Sequence, residues 1–196
     1  MRLRLFVYRV TSTTGAILAG DRSNPVSRFV FNYFWQKVLR ITQATTPGDI
    51  NEARTLFKEY EAGLGISLCF QSFDQELANL PGDYAPPRGR LLLAREYDQL
   101  LGCIALRPVG PTTCEMKRLF VRPEHRDRRL GRVLVEAIIE EARKIGYTHM
   151  RLDTISGKMD RAISLYRSIG FVEIPPYYNT PVDTTTFMEL DLHTKH

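Results

Sequence analysis

The stretch VRPEHRDRRLGRVL, residues 121–134, holds five arginines within eleven positions. Pro123 ends the apolar run that precedes it, and apolar residues at helical spacing begin at Leu130. This pattern predicts a strand, a short polar loop and then a helix. Because the first turn of a helix has unpaired backbone N–H groups and the positive end of the helix dipole, the junction is predicted to bind an anion. The five arginines are Arg122, Arg126, Arg128, Arg129 and Arg132.

The side chains of this stretch are compatible with a phosphate ligand. Guanidinium groups supply positive charge and hydrogen-bond donors that suit phosphate oxygens. Glu124 and Asp127 offset part of that charge. From this stretch alone, a phosphate site and a solvated basic loop are equally good interpretations.

The chain around the stretch alternates between strand and helix patterns. Thr46, followed by Pro47 and Asp49, predicts the start of a helix with an N-cap, a proline at the first position and an acid in the first turn. The order of elements predicts an α/β fold with a mixed sheet covered by helices. Further helices are predicted over 72–80, 130–145 and 160–169, and strands over 38–42, 91–97, 100–107, 114–121, 150–155, 171–174 and 185–192, with a hairpin turn at 98–99.

The net charge of +5 is unevenly distributed along the chain. Residues 1–40 hold seven basic residues and one acidic residue, whereas residues 41–196 hold 20 basic and 21 acidic residues. The larger part is therefore nearly neutral, which argues against a nucleic-acid-binding protein with a broad basic face. No apolar run has the length needed to cross a membrane. Neither a nucleic acid nor a membrane is an expected partner.

The cysteines and the N-terminal segment bear on location. Cys69, Cys103 and Cys114 lack metal-ligand spacing, so we expect buried thiols in a reducing compartment and no bound metal. Residues 1–38 are rich in Arg, Ser and Thr, which is typical of a transit peptide, with a loosely ordered extension as the alternative. We expect residues 39–192 to form the domain and 193–196 a tail. The expected location is cytoplasmic, or mitochondrial if the extension directs import.

Two separated motifs resemble those of the GNAT acyltransferase superfamily. Arg126-x-x-Arg129-x-Gly131, after a strand and before a helix, resembles its pyrophosphate-binding motif. AISLYRSIGF, residues 162–171, resembles its second signature, a helix that carries a tyrosine and ends at Gly-Phe. EMKRLFV, residues 115–121, resembles the strand that leads into the first motif. The resemblance covers about residues 39–192.

The resemblance implies a GNAT-like, mostly antiparallel sheet with splayed strands, covered by helices on both faces. It also implies that acetyl-CoA, the acetyl donor, binds in the gap between the splayed strands. Backbone groups of Leu119, Phe120 and Val121 would pair with the pantetheine arm as an added strand does. N–H groups of the following segment would hold the pyrophosphate, and its residues are Arg126, Asp127, Arg128, Arg129, Leu130, Gly131 and Arg132.

Two positions depart from the superfamily's pattern. Arg129 stands where glycine is usual, and glycine can adopt a left-handed backbone that approaches phosphate closely. An arginine there adds charge but carries strain in a left-handed conformation. Met159 replaces a frequent asparagine seven residues before the tyrosine, so one polar contact is lost. A catalytically impaired module that binds CoA is therefore the alternative function.

Tyr166 is implied as the donor to the departing thiolate. A phenol has a pKa of about 10 and a thiol of about 8.5, so proton transfer is uphill by roughly 2 kcal/mol. A positioned phenol can therefore assist directly or through a strong hydrogen bond. The alternative is a core aromatic residue on an amphipathic helix. A backbone N–H of Phe120 or Val121 would stabilise the oxyanion.

Glu115 is the candidate general base. It lies eleven residues before Arg126, the spacing at which the histone-acetylating branch of the superfamily carries its glutamate base. The alternative is an ion-paired strand glutamate, for instance with Lys117. The two interpretations are equally supported by the sequence.

The expected reaction is N-acetyl transfer to a primary amine by direct attack in a ternary complex. The resemblance implies that residues 60–87 and 175–179 select the acceptor. Tyr84, Tyr177 and Tyr178 could line the acceptor pocket or pack as ordinary aromatic residues. Both segments are poor in acids, which disfavours a polyamine and leaves a small amine, an amino acid or a peptide. We expect a monomer or a homodimer.

Overall fold

One mixed sheet organises residues 6–9, 38–65, 68 and 72–194, the part of the chain that the computed structural model describes. Its strands are Phe6–Arg9 (β1), Val38–Gln43 (β2), Arg90–Glu96 (β3), Gln99–Pro108 (β4), Thr113–Val121 (β5), His149–Ile155 (β6), Val172–Ile174 (β7) and Thr185–Asp191 (β8). Their order across the sheet is β1-β2-β3-β4-β5-β6-β8-β7. Neighbouring strands are antiparallel except β5 and β6, which run parallel. The predicted mixed sheet is confirmed.

The helices described are Pro47–Leu64 (α1), Phe73–Asn79 (α2), Leu130–Ile145 (α3) and Asp160–Ile169 (α4). α1 begins at the predicted N-cap, because the Asp49 N–H donates to Thr46 Oγ1 at 3.1 Å and the Thr46 N–H donates to Asp49 Oδ2 at 3.0 Å. This reciprocal pair satisfies two backbone donors that the helix itself cannot. None of these helices is both long and apolar enough to span a bilayer.

Helices α3 and α4 end at glycines with left-handed backbones. Gly146 has a φ of 101° and Gly170 a φ of 110°. Glycine adopts this conformation without the clash that a Cβ would bring. The stop after α4 returns the chain directly to the sheet edge at β7.

The apolar residues divide between the two faces of the sheet. α1 and α2 pack on the face that carries Leu91 and Leu93, whereas α3 and α4 pack on the face that carries Leu92 and Leu106. Successive residues of β3 are therefore buried on opposite sides, which explains its continuous apolar run. The predicted cover of helices on both faces is confirmed.

Predicted and observed element boundaries agree to within one residue. The hairpin turn lies at Tyr97-Asp98, one residue earlier than predicted, and Tyr97 has a left-handed backbone with φ of 53°. β1 falls within the segment assigned as an extension and pairs with β2 at the edge of the sheet. Residues 10–37 lie outside the described part, so the transit-peptide interpretation stays a prediction.

A bulge interrupts β5 just before its end. Phe120 faces Cys103 and Lys117 faces Ala105, so two residues of β5 face one residue of β4. The first of the two, Arg118, has a left-handed backbone with φ of 57°. A bulge of this kind bends its strand and sharpens the local twist. It lies at the part of β5 that is nearest to the candidate site.

The close approach of β4 and β5 can be tested at Gly102, which lies opposite the end of β5. A Cβ added at Gly102 would lie 2.3 Å from the Phe120 carbonyl oxygen, so the two strands would have to shift. We expect Gly102→Ala to lower the free energy of unfolding by about 2 kcal/mol, measured by urea denaturation.

Gly63→Ala is the control for this prediction. A Cβ at Gly63, near the end of α1, meets no heavy atom within 4 Å. This variant should keep or raise stability, by up to about 1 kcal/mol, because alanine favours a helix. Equal stability of the Gly102→Ala variant and the unmodified protein would contradict the strand geometry.

Candidate active site

The candidate site begins where β5 and β6 diverge. The two strands pair only over residues 113–115 and 149–151, although β5 continues to Val121 and β6 to Ile155. Backbone groups beyond residue 115 that point toward β6 therefore face a gap instead of a partner strand. The predicted splayed strands are present.

A cleft of ≈ 980 Å³ opens beside this gap, between the end of β5, the start of α3 and α4. Most of the residues predicted to bind the cofactor line it, but Asp127, Arg128 and Leu130 do not. Leu130 is buried in the core under α3, where it cannot reach the cleft. The predicted residues that do line the cleft are Leu119, Phe120, Val121, Arg126, Arg129, Gly131 and Arg132.

Two of the five clustered arginines form bidentate ion pairs with neighbouring elements. Arg122 donates to Glu59 of α1 through Nε at 2.9 Å and Nη2 at 2.8 Å. Arg128 donates to Glu96 of β3 through Nη1 at 3.0 Å and Nη2 at 2.6 Å. These bidentate pairs hold the loop between β5 and α3 against two neighbouring elements.

The other three arginines line the cleft at the start of α3. Arg129 precedes the helix with φ of 56°, the left-handed conformation that glycine usually provides. Neither a side-chain cap nor an acid occupies the first turn of α3. The helix terminus is therefore electropositive, and Arg126 and Arg132 add charge beside it. The arrangement is suited to a phosphate group.

The end of β5 directs one residue's backbone into the gap. The Arg122 N–H donates to the Leu101 carbonyl at 3.0 Å, which makes these two a hydrogen-bonded pair. Since such pairs alternate along antiparallel strands, the N–H and C=O of Val121 point away from β4. Arg126 Nε donates to the Val121 carbonyl at 3.1 Å, in agreement with that direction. Of the two predicted oxyanion donors, the geometry favours Val121 over Phe120.

Tyr166 of α4 does not line the cleft itself but lies in an adjacent cavity. It lines a small cavity of ≈ 30 Å³ that shares Tyr60, Leu119 and Met159 with the cleft wall. Its ring contacts Phe171, with 5.8 Å between the centroids. No residue in the described part of the chain hydrogen-bonds its hydroxyl. The phenol is therefore packed like a core residue but retains a donor for a ligand.

The environment keeps Tyr166 protonated. Burial raises the pKa of Tyr166 well above its ordinary value, and the nearby Tyr60 and Asp153 act in the same direction. Burial also raises the pKa of Tyr60 to about 12. Both phenols are thus neutral hydrogen-bond donors at any physiological pH.

Charged residues form the rest of the inner wall. Lys117 of β5 pairs with Asp153 of β6, with 2.6 Å between Nζ and Oδ1. Arg118, at the bulge, donates to Glu76 of α2 through Nε at 2.9 Å and Nη2 at 2.5 Å. Its guanidinium carbon also lies 4.9 Å from the centroid of the Phe73 ring. Arg118 therefore fastens α2 to the bulge in β5.

Glu115 is buried and ion-paired. Arg107 donates to its Oε2 at 2.7 Å and the Tyr177 hydroxyl donates to its Oε1 at 2.7 Å. The ion pair considered in the sequence analysis is present, but its cation is Arg107, because Lys117 reaches across to β6 instead. Glu115 does not line the cleft or the inner cavity.

The tyrosines of the β7–β8 loop fix that loop on the same face of the sheet. The ring centroids of Tyr177 and Tyr178 both lie 5.0 Å from that of Phe187. Burial opposes ionisation of Asp153, but Lys117 and a hydrogen bond from Tyr178 lower the pKa of this carboxyl. The loop is thus hydrogen-bonded to Glu115 through Tyr177 and to Asp153 through Tyr178. Tyr84, the third predicted tyrosine, donates to Glu76 Oε1 at 2.7 Å.

Asp153 and Tyr60 line the inner cavity but were not predicted from the sequence. Asp153 follows the buried Leu152 along β6, so the strand pattern places its side chain on the other face of the sheet from Leu152. The pattern does not predict that Asp153 lies beside Lys117. Tyr60 fits the apolar stripe of α1, and nothing in its spacing indicates that it lines a cleft. Within the described residues, no group of His, Cys, Asp and Glu could hold a metal ion. Cys103 and Cys114 are buried free thiols, as expected.

Known proteins resemble this chain in sequence and in fold. Residues 52–171 match the model of the acetyltransferase (GNAT) family. An uncharacterised N-acetyltransferase of Schizosaccharomyces pombe is 42% identical over 156 residues, which cover 79% of this chain and 95% of that protein. A GNAT-family acetyltransferase from Staphylococcus aureus superimposes with a TM-score of 0.66 at 21% identity, over 79% of this chain and 99% of its own.

A Salmonella typhimurium structure that contains its cofactor acetyl-CoA superimposes with a TM-score of 0.55 at 21% identity, over 81% of this chain and 95% of its own. At this identity the likeness shows a common fold. The family model covers more than half of the chain, and the yeast relative matches 79% of it at much higher identity. This chain therefore belongs to the GNAT family of acetyltransferases.

Proposed function

We propose that this protein transfers the acetyl group of acetyl-CoA to a primary amine of a small molecule, an amino acid or a peptide. The amine would attack the thioester directly in a ternary complex. The observation that carries the proposal is the position of Tyr166, a buried neutral phenol whose cavity shares wall residues with the cleft beside the splayed strands.

The cleft supports acetyl-CoA as the donor. Arg126, Arg129 and Arg132, together with the uncapped start of α3, are complementary to a diphosphate. The cleft volume of ≈ 980 Å³ is at the upper end of the range of about 300–1,000 Å³ for ligand sites. The gap-facing edge of β5 offers amide partners for an extended arm that itself carries amides.

The residues at the end of the gap have distinct proposed roles. When bound, acetyl-CoA supplies the thioester carbon that the amine attacks. The Val121 N–H would donate to the thioester oxygen as negative charge develops there. Tyr166 would donate to the departing sulfur. Because burial raises the pKa of Tyr166, a hydrogen bond to the thiolate is favoured over complete proton transfer.

Glu115 is the proposed general base. Both of its oxygens accept hydrogen bonds, from Arg107 and Tyr177. A proton from the acceptor would therefore reach Glu115 through the Tyr177 hydroxyl or after one contact breaks. An altered acidic limb in the pH–rate profile of Glu115→Gln would support this role, and an unchanged limb would assign proton removal to water.

A catalytically impaired CoA-binding module is the second candidate. It is motivated by the left-handed Arg129 and by Met159, which contacts Thr154 Oγ1 through sulfur at 3.6 Å. Calorimetry with acetyl-CoA and thiol release on a panel of amines separate the two functions. Binding with thiol release supports the enzyme, and binding without release supports the module. The cytoplasmic or mitochondrial location and the monomeric or dimeric state also stay predictions.

Tyr166→Phe tests the thiolate donor. We expect kcat to fall about 100-fold, because the hydrogen bond to sulfur is lost, while the Kd for acetyl-CoA stays within about threefold. The pH–rate profile should keep its shape, since Tyr166 is neutral throughout. Steady-state kinetics and calorimetry measure these quantities.

Tyr147→Phe is the matched control for the Tyr166 variant. Tyr147 is equally buried, but its hydroxyl donates to the Arg88 carbonyl at 2.9 Å, away from the cleft. This variant should keep its kcat. Unchanged turnover in Tyr166→Phe would remove Tyr166 from the mechanism.

The Arg129→Gly variant tests the effect of having arginine instead of the usual glycine at the start of α3. We expect the free energy of unfolding to rise by about 1 kcal/mol, because the left-handed strain disappears. Affinity for acetyl-CoA should nevertheless fall several-fold, because one phosphate-facing charge is lost. Denaturation and calorimetry give the two quantities separately.

Two further variants separate charge from strain. Arg129→Gln should lose affinity without gaining stability. Arg143→Gln removes the same charge at the far end of α3, where Arg143 pairs with Glu140, and should leave affinity unchanged. A large gain in affinity in Arg129→Gly would instead show that the arginine impairs binding, which favours the module.

A further inference from the structure

A buried ion pair lies beside Tyr166 in the inner cavity. Lys117 and Asp153 have side chains that are 7% and 11% exposed, with 2.6 Å between Nζ and Oδ1. Both line the cavity that Tyr166 lines. Neither belongs to the proposed donor site, so the pair has no role in binding the diphosphate or protonating the sulfur.

The pair bridges the two strands just past the point where they stop pairing. Glu115 and Arg151 are the last register partners of β5 and β6. Lys117 and Asp153 each lie two residues further along, and residues two apart in a strand point to the same face. The pair therefore occupies the face covered by α1 and α2, at the opening between the strands.

Stability alone does not account for this pair. Moving two charges out of water costs several kcal/mol per ion, and apolar residues of similar size often stabilise a fold as well or better. The neighbouring Arg118 lines the same cavity, and its guanidinium forms two short bonds to Glu76. The Lys117–Asp153 pair thus presents an adjacent cation and anion to whatever occupies the cavity.

We propose that Lys117 and Asp153 recognise the acceptor, and that the acceptor is an amino acid with free α-amino and α-carboxylate groups. Lys117 would bind the carboxylate and Asp153 the ammonium group. The two charged groups of an α-amino acid are attached to one carbon, so a single ligand can pair with both residues. Because the cavity of ≈ 30 Å³ has room for little more than water while the pair is closed, the ligand must separate Lys117 from Asp153 as it enters. This inference rests on the proposed acetyl transfer and names its acceptor class.

The reaction remains balanced with this acceptor. The ammonium group gives one proton to Glu115 or to water, and the nitrogen then forms the bond to the acetyl carbon. The nitrogen gives a second proton to water as the tetrahedral intermediate collapses to the amide. The C–S bond breaks, and the sulfur leaves as a thiolate that Tyr166 stabilises and that later takes a proton from solvent. Lys117 and Tyr178 lower the pKa of Asp153 although burial opposes them, so Asp153 acts as an anchor and not as the base.

The surrounding charges favour the same class. Arg107 and Arg151 lie on this face, with side chains 37% and 35% exposed, and each pairs with a less exposed carboxylate. Both guanidinium groups are thus partly exposed beside the acids of this face, although neither lines the inner cavity. The guanidinium of Arg151 also lies over the Tyr177 ring, 5.2 Å from its centroid. A polyamine would compete for Asp153 and would leave Lys117 without an anion.

The unmodified protein provides the first test. Free L-amino acids and the matching amino acid amides differ only in the carboxylate. Their affinities are measured by calorimetry in the presence of CoA, and their turnover by thiol release from acetyl-CoA. We expect the free acids to bind about tenfold more tightly than the amides or better, because the amide leaves Lys117 unpaired.

Variants then assign the preference to the pair. Lys117→Met should abolish the preference for the free acid, whereas Lys117→Arg should retain it. Asp153→Asn should weaken binding of acids and amides alike, because both carry the amine. Lys144→Met is the matched control, since Lys144 pairs with Glu141 on the surface of α3, and it should change nothing.

The outcomes separate this inference from the proposed function. Binding of free acids without thiol release would support the recognition site and contradict acetyl transfer. Equal or better binding and acetylation of amides would support transfer and overturn the recognition site. Absence of binding by either set would also overturn it.

Discussion

The loss of pairing between β5 and β6 is the constraint on which the whole site depends. After residues 115 and 151 the strands share no register, yet a buried unpaired N–H or C=O is costly. One such group is satisfied by a side chain, because Arg126 donates to the Val121 carbonyl. The side chain of Lys117 also crosses the opening to Asp153. The gap is therefore held open by polar contacts that a ligand can replace. An extended molecule with its own amides is well suited to do so.

The arginine cluster has two roles: some of its members need carboxylate partners, and the others need to face the open cleft. Arg122 and Arg128 are paired with Glu59 and Glu96, and these bonds fix the loop that leads into α3. The remaining three arginines face the cleft and the uncapped helix terminus. A loop held by bidentate pairs presents its backbone N–H groups in a fixed arrangement, so little ordering is needed when an anion binds. Arg129 adds charge at the position where the backbone turns, at the expense of a strained left-handed conformation.

Local chemistry made much of this structure predictable from the sequence. Thr46 with Asp49 fixes the start of α1, Gly146 and Gly170 fix two helix ends, and the motif spacing located the cleft. Contacts between strands were not predictable. The pairs Lys117–Asp153 and Arg107–Glu115 depend on strand register, which is set by the packing of the whole sheet and leaves no mark at the positions themselves. The same reason explains why β1 was assigned to an extension.

Selectivity at the inner cavity follows from the difficulty of leaving a buried charge unpaired. Lys117 and Asp153 satisfy each other, as Arg118 and Glu76 do, so the wall is locally neutral before any ligand arrives. A ligand with a single charge would separate the first pair and satisfy only one member, which costs more than the new contact returns. A ligand with both charges side by side separates the pair and satisfies both members. The site therefore discriminates by rejecting ligands that lack one of the two charged groups. The resulting difference in affinity is larger than the difference that apolar contacts can provide.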